Sequence, residues 1–548
     1  MNAKSGKSNS GLAVNQSEVA LTSESTTKLR FNIPFTLETL SYNKGFFLAF
    51  VVGFVVRLIP EILSYPYPIG WDTIYYAARI NNGVVWNQWS DFFSTWLIYG
   101  ILVTLGNLTT LEPFMLLKVV APLLYGGTTA GIYFVAWKKL NWSVTKSLLT
   151  SAIFAFQLAA LGISWHFYRN IFGLAMLLFT IPLLKNDVSW KEAAVLSLLS
   201  LLVVWGHELA AVSLFFMVLG LLVVSIFKKE RVPYKPFIAI IPAVAVFLIG
   251  AFQVFHTPIN VEPNILWIKD SVFPHPGGIF FLTDYLNVFT PVEHYASYVE
   301  LFSHVFSLFI LLYAVSLPLI AVGHFRDRVL GSWVIILLVG SFSCLIIPFS
   351  ALLYWNRWML MLVFPFTYFA VEGLWKVTKC GKTSSFTGFP NWFKITKKVG
   401  IGLSLLTVVL GGLFMSWPLI EGKYGVIGIE STFRYFPSTM QTSSVPLQDT
   451  EGTIQSFEWL NEHMTNDSSV LVHDVFHYWS QIYLNPSHTA VFFNNDIQKA
   501  SDYALENGFT TAYIVWWNED IGWYNMRLSN DEYVSVFDSG RISIYYKI

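Results

Sequence analysis

Apolar runs of about 20 residues recur from Gly45 to Trp417, each long enough to cross hydrocarbon roughly 30 Å thick as a helix. In lipid only helices and closed barrels satisfy every backbone polar group, and no ten-residue alternation suggests a barrel here. With 54% hydrophobic and 12% charged residues, a chain of 548 residues has too little polar surface to coat a soluble globule. The expected fold class is therefore a polytopic α-helical membrane protein with about 11 transmembrane helices. The spans are placed near 45–64, 112–137, 146–163, 166–184, 192–206, 209–227, 236–255, 298–323, 329–350, 357–375 and 399–417.

A formal net charge of +0 conceals a separation of charge along the chain. Lys and Arg collect in alternate connections: Lys28, Arg30 and Lys44; Lys138 and Lys139; Lys185 and Lys191; Lys228, Lys229, Arg231 and Lys235; Arg326 and Arg328; then Lys376 to Lys398. Cytoplasmic loops carry that excess, so the N-terminus is expected inside, the C-terminus outside, and the protein in the plasma membrane. Residues 1–43, rich in Ser, Thr and Asn, read as a disordered cytoplasmic tail, with the first span an uncleaved anchor. The two cysteines, Cys344 and Cys380, lie in a span and an inner loop, where a disulfide is not expected.

The membrane domain is expected over 44–417, with large outer loops at 65–111 and 256–297. The run STWLIYGILVTLGNL in the first loop suits an interfacial helix and is short for a crossing. In the second, PHPGG with Gly277 and Gly278 is as consistent with a hinged lid as with a plain loop. After Trp417 apolar runs shorten and acids outnumber bases. Helical patterns at EGTIQSFEWLNEHM and DIQKASDYALENG alternate with β-rich runs at SSVLVHDV, HTAVFF, TTAYIVWW, EYVSVF and RISIYYK. Residues 418–548 are expected to form an extracytoplasmic α/β domain.

Candidate chemistry begins at GWDTIYYAAR. A helix opening after Gly70 sets Asp72, Tyr75, Tyr76 and Arg79 at spacings of three, four and seven, gathering an acid, two hydroxyls and a cation on one side. Helix capping by Asp72 within an aromatic belt is an equally good reading of that stretch alone. The same topology brings other polar groups to the outer ends of different spans: Arg57 and Glu61, His166 and Arg169, His207 and Glu208, Asn356 and Arg357. Ionisable groups in a bilayer pair, reach the interface or line a wet cavity. Arg57 and Glu61, four apart, favour a structural ion pair. His207 and Glu208 suit a helix-hairpin cap as well as a site, and Arg169 and Arg357 suit lipid phosphates.

One reaction uses these groups together: transfer from a lipid-linked phosphate donor. Arg357, Arg169 or Arg79 would hold the phosphate, Asp72 would take the proton of an acceptor hydroxyl, and Tyr75, Tyr76, His166, His207, Glu208 and Asn356 would line the site. A first span ending in Arg57, a large outer loop opening with GWDTIYYAAR, a multi-span body and an outer C-terminal α/β domain resemble the GT-C class of integral-membrane glycosyltransferases, including archaeal and bacterial mannosyltransferase-like members. The resemblance covers nearly the whole chain. It implies a polyprenyl-phosphate-sugar donor, an extracytoplasmic protein, lipid or glycan acceptor, hexosyl transfer, and Asp72 as the first-loop acid, acting as base or, in some members, as metal ligand.

Many relatives carry two adjacent acids at that point, whereas Thr73 follows Asp72 here. No obligatory cofactor is therefore expected. A divalent metal held with Glu208, His207 and His166 stays open. The Trp-Trp-Asp-Tyr-Gly motif of the oligosaccharyltransferase branch is absent; VHDVFHYWSQIYL stands in the similar place, so sequon recognition is not carried to His473, Asp474 or Trp479, and Tyr478 and Trp479 are expected to pack beneath a sheet. The competing function is a transporter or flippase of a lipid-linked glycan, which predicts internal repeats or broken helices; the sequence displays neither. No basic groove for nucleic acid and no phosphate-binding glycine loop are found.

Overall fold

The computed structural model describes residues 41–85, 89–256, 265–267, 298–346, 355–379, 384–385, 394–419, 440–493, 497–518, 528 and 532–547. The tail as far as Leu40, Cys380, and Gly277 and Gly278 of PHPGG lie outside them. Ten helices lead the chain: α1 (Tyr42–Leu63), α2 (Thr73–Asn81), α3 (Leu97–Thr109), α4 (Pro113–Lys138), α5 (Val144–Ala155), α6 (Leu158–His166), α7 (Tyr168–Thr180), α8 (Trp190–Gly206), α9 (Glu208–Phe227) and α10 (Tyr234–His256). The bundle continues with Tyr298–Tyr313, Leu317–Gly323, Arg328–Phe342, Trp355–Met361, Val363–Lys379 and Lys397–Met415. Among the described residues, 7 helices are long and apolar enough to cross a membrane, or up to 9 if each bent pair is one span. At 13 residues α3 is too short to cross at about 1.5 Å per residue.

Small residues let the helices approach closely, the way helices pack where lipid removes the hydrophobic drive. A Cβ on Gly53 would lie 2.1 Å from Thr129 Oγ1, and one on Gly373 2.0 Å from the Leu319 carbonyl oxygen. The expectation of unbroken spans fails twice. α5 and α6 meet at 63°, and Phe302–Tyr313 meets Leu317–Gly323 at 72°. The first break contains no proline; the second falls just before Pro318, in the first turn of Leu317–Gly323, where a ring in place of an N–H ends the preceding helix. Protein atoms fill both. A Cβ on Gly411 would come within 2.1 Å of the Phe156 carbonyl oxygen, and Gln157 donates to Thr367 Oγ1 at 2.7 Å. Tyr313 donates its hydroxyl to the Met359 carbonyl at 2.7 Å. At the breaks themselves, Tyr125 of α4 donates its hydroxyl to the Ala155 carbonyl at 2.9 Å, and Ser316 donates to the Tyr313 carbonyl at 3.1 Å.

The C-terminal region carries helices Thr450–His463, His477–Tyr483 and Ile497–Glu506 and strands β4 (Ser468–His473), β5 (Thr489–Phe493), β6 (Thr511–Trp517), β7 (Tyr533–Asp538) and β8 (Ile542–Lys547), one for each expected β-run. A short hairpin, β2 (Ser384–Ser385) with β3 (Lys394–Ile395), lies apart. The main sheet has the order β1-β5-β4-β6-β8-β7, with β5, β4 and β6 parallel and β8 and β7 antiparallel. β1 (Ile265–Trp267) comes from the 256–297 loop and pairs parallel with β5. That loop is therefore joined to the C-terminal sheet.

The domain's core of Phe457, Val470, Ile514, Trp516 and their neighbours extends into the first loop through Ile74, with Tyr67, Trp71 and Phe114 packed against it. Trp479, buried, sets its ring against Tyr67 and Phe114 and donates Nε1–H to Ser444 Oγ at 3.1 Å. Tyr478 packs against the domain's core, stacks on His477 and also meets Tyr75, with ring centroids 4.8 Å apart. The His477–Tyr483 helix, which lies against α2, brings the two tyrosines together.

Candidate functional site

Gly70 seats the first loop. Its φ of +126° is a conformation that L side chains rarely adopt, and a Cβ there would stand 1.6 Å from the Trp165 carbonyl oxygen. Its N–H donates to the Thr442 carbonyl at 2.7 Å, and its own carbonyl accepts from Thr73 Oγ1 at 2.6 Å. Loop, α6 and the C-terminal region therefore meet at one glycine, two residues before Asp72.

Asp72 is the N-cap of α2 by position, yet its side chain makes no capping hydrogen bond. The carboxylate turns instead to His166, the last residue of α6: Nε2 lies 3.0 Å from Asp72 Oδ2, while Nδ1 accepts the Asp72 backbone N–H at 3.2 Å. Through its two nitrogens one imidazole orients both the backbone and the carboxylate of Asp72. His166 is buried, and the Asp72 side chain keeps 33% of its surface. Burial would raise the carboxyl pKa, but His166, Arg357 and Arg169 outweigh it and hold the group below its ordinary value.

Arg357 enters from the Trp355–Met361 helix. Asn356 Oδ1 accepts the Arg357 N–H at 2.7 Å, and the guanidinium lies 4.4 Å from the centroid of the Phe167 ring, beside the α6–α7 corner. Arg169, in the first turn of α7, donates through Nη2 to both oxygens of Glu208, at 3.1 and 2.9 Å, and through Nη1 to Tyr99 at 3.3 Å. Its charge is thus already answered by a carboxylate. Close helix contact makes this pairing, since a Cβ on Gly206 would be 2.8 Å from Gly173 Cα. His207 is the N-cap of α9, its Nδ1 accepting from Leu209 N–H at 3.2 Å. The proposed metal set of Glu208, His207 and His166 is not gathered: among the described residues no group of three His, Cys, Asp or Glu side chains stands where it would hold a metal ion. Both histidines spend Nδ1 on backbone amides.

Asp72, Tyr75, Tyr76 and Arg79 of GWDTIYYAAR fall within an arc of about 100° on α2, at about 100° per residue. Tyr76, buried, stacks on Tyr168 at 5.0 Å and accepts the Arg169 N–H at 3.2 Å. The Tyr75 and Tyr76 rings lie 5.7 Å apart and both meet Tyr99, while Tyr75 also reaches Tyr478 and accepts from Arg79 Nη2 at 3.0 Å. Below the site, Arg57 Nη1 meets Glu61 Oε1 at 2.6 Å and Lys118 Nζ meets Glu61 Oε2 at 3.2 Å, all buried. Arg57 also donates to the Ser164 carbonyl at 3.2 Å and the Ile69 carbonyl at 3.5 Å. It ties the backbone that carries His166 to the loop that carries Asp72.

Sequence reasoning missed Asp474. It follows β4, at the carboxyl end of the parallel strands, where ligand crevices of such sheets open. Burial and the charge of Asp72 push its carboxyl up to about 6. An acid directly after a strand in VLVHDV was the available signal.

No family model matches the chain, and no curated protein sequence matches it. Among the solved structures that match the chain are two glycosyl-transferring proteins. The arabinofuranosyltransferase AftD from mycobacteria has a TM-score of 0.44 at 10% identity, over 90% of this chain and 39% of its own, so the chain spans about two fifths of that protein. The oligosaccharyltransferase of Archaeoglobus fulgidus, tethered with an acceptor peptide containing the NVT sequon, has a TM-score of 0.37 at 12% identity, over 86% of this chain and 69% of its own.

Proposed function

We propose that the chain is a membrane glycosyltransferase that moves a sugar, a hexose in our reading, from a polyprenyl-phosphate carrier to an extracytoplasmic acceptor. The observation that carries this reading is the Asp72 carboxylate, held by His166 beside the positive field of Arg357, where helix ends, first loop and C-terminal region meet. The membrane is crossed about eleven times, with this end outside the plasma membrane.

Asp72, ionised at neutral pH, takes the proton of the acceptor hydroxyl through the oxygen that His166 does not hold. The acceptor oxygen bonds to the anomeric carbon as the bond from that carbon to the phosphate oxygen breaks, and the electron pair stays on the lipid phosphate. Arg357 offers that phosphate paired donors and a fixed charge. Arg169, neutralised by Glu208, positions Tyr76 and Tyr99 around the cavity, with His207 shaping the turn behind it. No metal is required in this scheme.

The test is transfer from a labelled polyprenyl-phosphate sugar in membranes holding the full chain. Asp72→Asn keeps the shape and loses the base, so transfer is expected to fall by about 10²–10⁴-fold. Undiminished transfer by this variant would remove Asp72 from catalysis, and movement of intact lipid-linked glycan without bond transfer would establish the flippase reading instead.

A further inference from the structure

The arginines around the bundle divide by what answers their charge. Arg57 is met by Glu61, Arg169 by Glu208, Arg328 by Glu230 and Arg541 by Asp449. Arg79 has no carboxylate within ion-pair distance among the described residues. Among the described residues it is held by tyrosines: Nε and Nη2 donate to the Tyr75 hydroxyl at 3.2 and 3.0 Å, and the guanidinium carbon lies 4.9 Å from the Tyr99 ring centroid and 5.4 Å from that of Tyr75. Tyr478 closes the group from the C-terminal side through its contact with Tyr75. Two ring faces and a hydroxyl fix the direction of the guanidinium, and its remaining N–H donors meet no acid among the described residues.

Position matters as much as charge. Arg79 stands seven residues beyond Asp72 on the axis of α2, about 10 Å at the rise of an α-helix. That is too far to touch the bond that Asp72 serves, and it is a span that a short oligosaccharide covers. Aromatic side chains around a fixed guanidinium suit a sugar ring that bears an oxyanion, because the rings offer apolar faces and the guanidinium offers paired donors to a carboxylate.

We propose that Arg79, Tyr75, Tyr99 and Tyr478 form a second subsite, distinct from the phosphate position at Arg357, that takes a carboxylate-bearing sugar of an acidic glycan removed from the transferred bond. This rests on the reading of the protein as a glycosyltransferase and names one feature of its substrate.

The probe pair is a uronate-containing tetrasaccharide and its carboxyl-reduced neutral counterpart, titrated against the purified full chain in detergent by calorimetry. Wild type is expected to bind the acidic form at least about tenfold more tightly, a difference of roughly 1.4 kcal/mol. Arg79→Gln should abolish the preference, Arg79→Lys should restore part of it, and Asp72→Asn should keep it whole. Competition by a polyprenyl-phosphate sugar would place the acidic sugar on the donor glycan, and simultaneous binding would place it on the acceptor; either supports the subsite. Equal affinity for the two probes in wild type, or a preference that survives Arg79→Gln, overturns it. Binding is read without transfer, so failure of this subsite and failure of the enzymatic reading are separate results.

Discussion

At the scale of single residues the site depends on how few atoms hold Asp72 in place. Gly70 has no room for a methyl group, so Gly70→Ala must displace the loop from Trp165 and draw Asp72 away from His166. A misplacement of about 1 Å at a reacting group costs on the order of 10²-fold. Transfer by Gly70→Ala is expected to fall by that order while the far-ultraviolet dichroism of the detergent-solubilised protein stays helical; unchanged transfer would show that the loop tolerates the shift.

Asp474 provides a second residue-scale outcome with a definite sign. Its carboxyl is raised to about 6 in the folded chain against an ordinary value of 3.8, so the folded state binds the proton more tightly than the unfolded one. Stability therefore declines as pH rises from about 4 to about 6 and levels above that. Asp474→Asn should flatten this part of the melting-temperature profile, and a profile that keeps its slope would mean that Asp474 binds its proton no more tightly in the folded chain than in the unfolded one. Asp72 works in the opposite direction: held below its ordinary value, it stays ionised until the solution is more acidic than a free carboxyl requires.

At the scale of elements, ends and breaks of helices do more than their middles. α6 ends on His166, Arg169 lies in the first turn of α7, α8 gives way to α9 at His207, and the Trp355–Met361 helix opens beside Arg357. Beneath them the Arg57, Glu61 and Lys118 cluster joins α1, α4, α6 and the first loop. Removing one member of a buried ionic group leaves the others uncompensated, at about 3–5 kcal/mol. Glu61→Gln strands two cations and should lower the melting temperature in detergent more than Lys118→Met, which leaves the Arg57–Glu61 pair whole. The reverse order would mean that water reaches the cluster.

At the scale of the whole molecule, the C-terminal region is packed into the site rather than hung from the last span. Trp479 wedges between Tyr67 and Phe114, β1 lends a strand from the second loop, and Tyr478 reaches Tyr75. Trp479→Ala should cost about 3–5 kcal/mol. It should also speed proteolytic release of the C-terminal region, measured by the time course of a protease-resistant fragment, with transfer declining in parallel. Release at the wild-type rate would argue that other contacts hold the region.

The sequence by itself determined the helical membrane body and the strands and helices of the C-terminal region, because hydropathy, alternation and charge placement act over a few neighbouring residues. It also foretold the Arg57–Glu61 pair, whose members are one helical turn apart. Only the tertiary structure decided that Asp72 binds His166 rather than caps α2, that Arg169 is matched by Glu208, that Asp474 stands close enough to feel Asp72, and that the span of α5 and α6 breaks without proline. Each of these depends on contacts between segments distant in the chain, where close approach of glycines and exchange of hydrogen-bond partners outweigh any local preference.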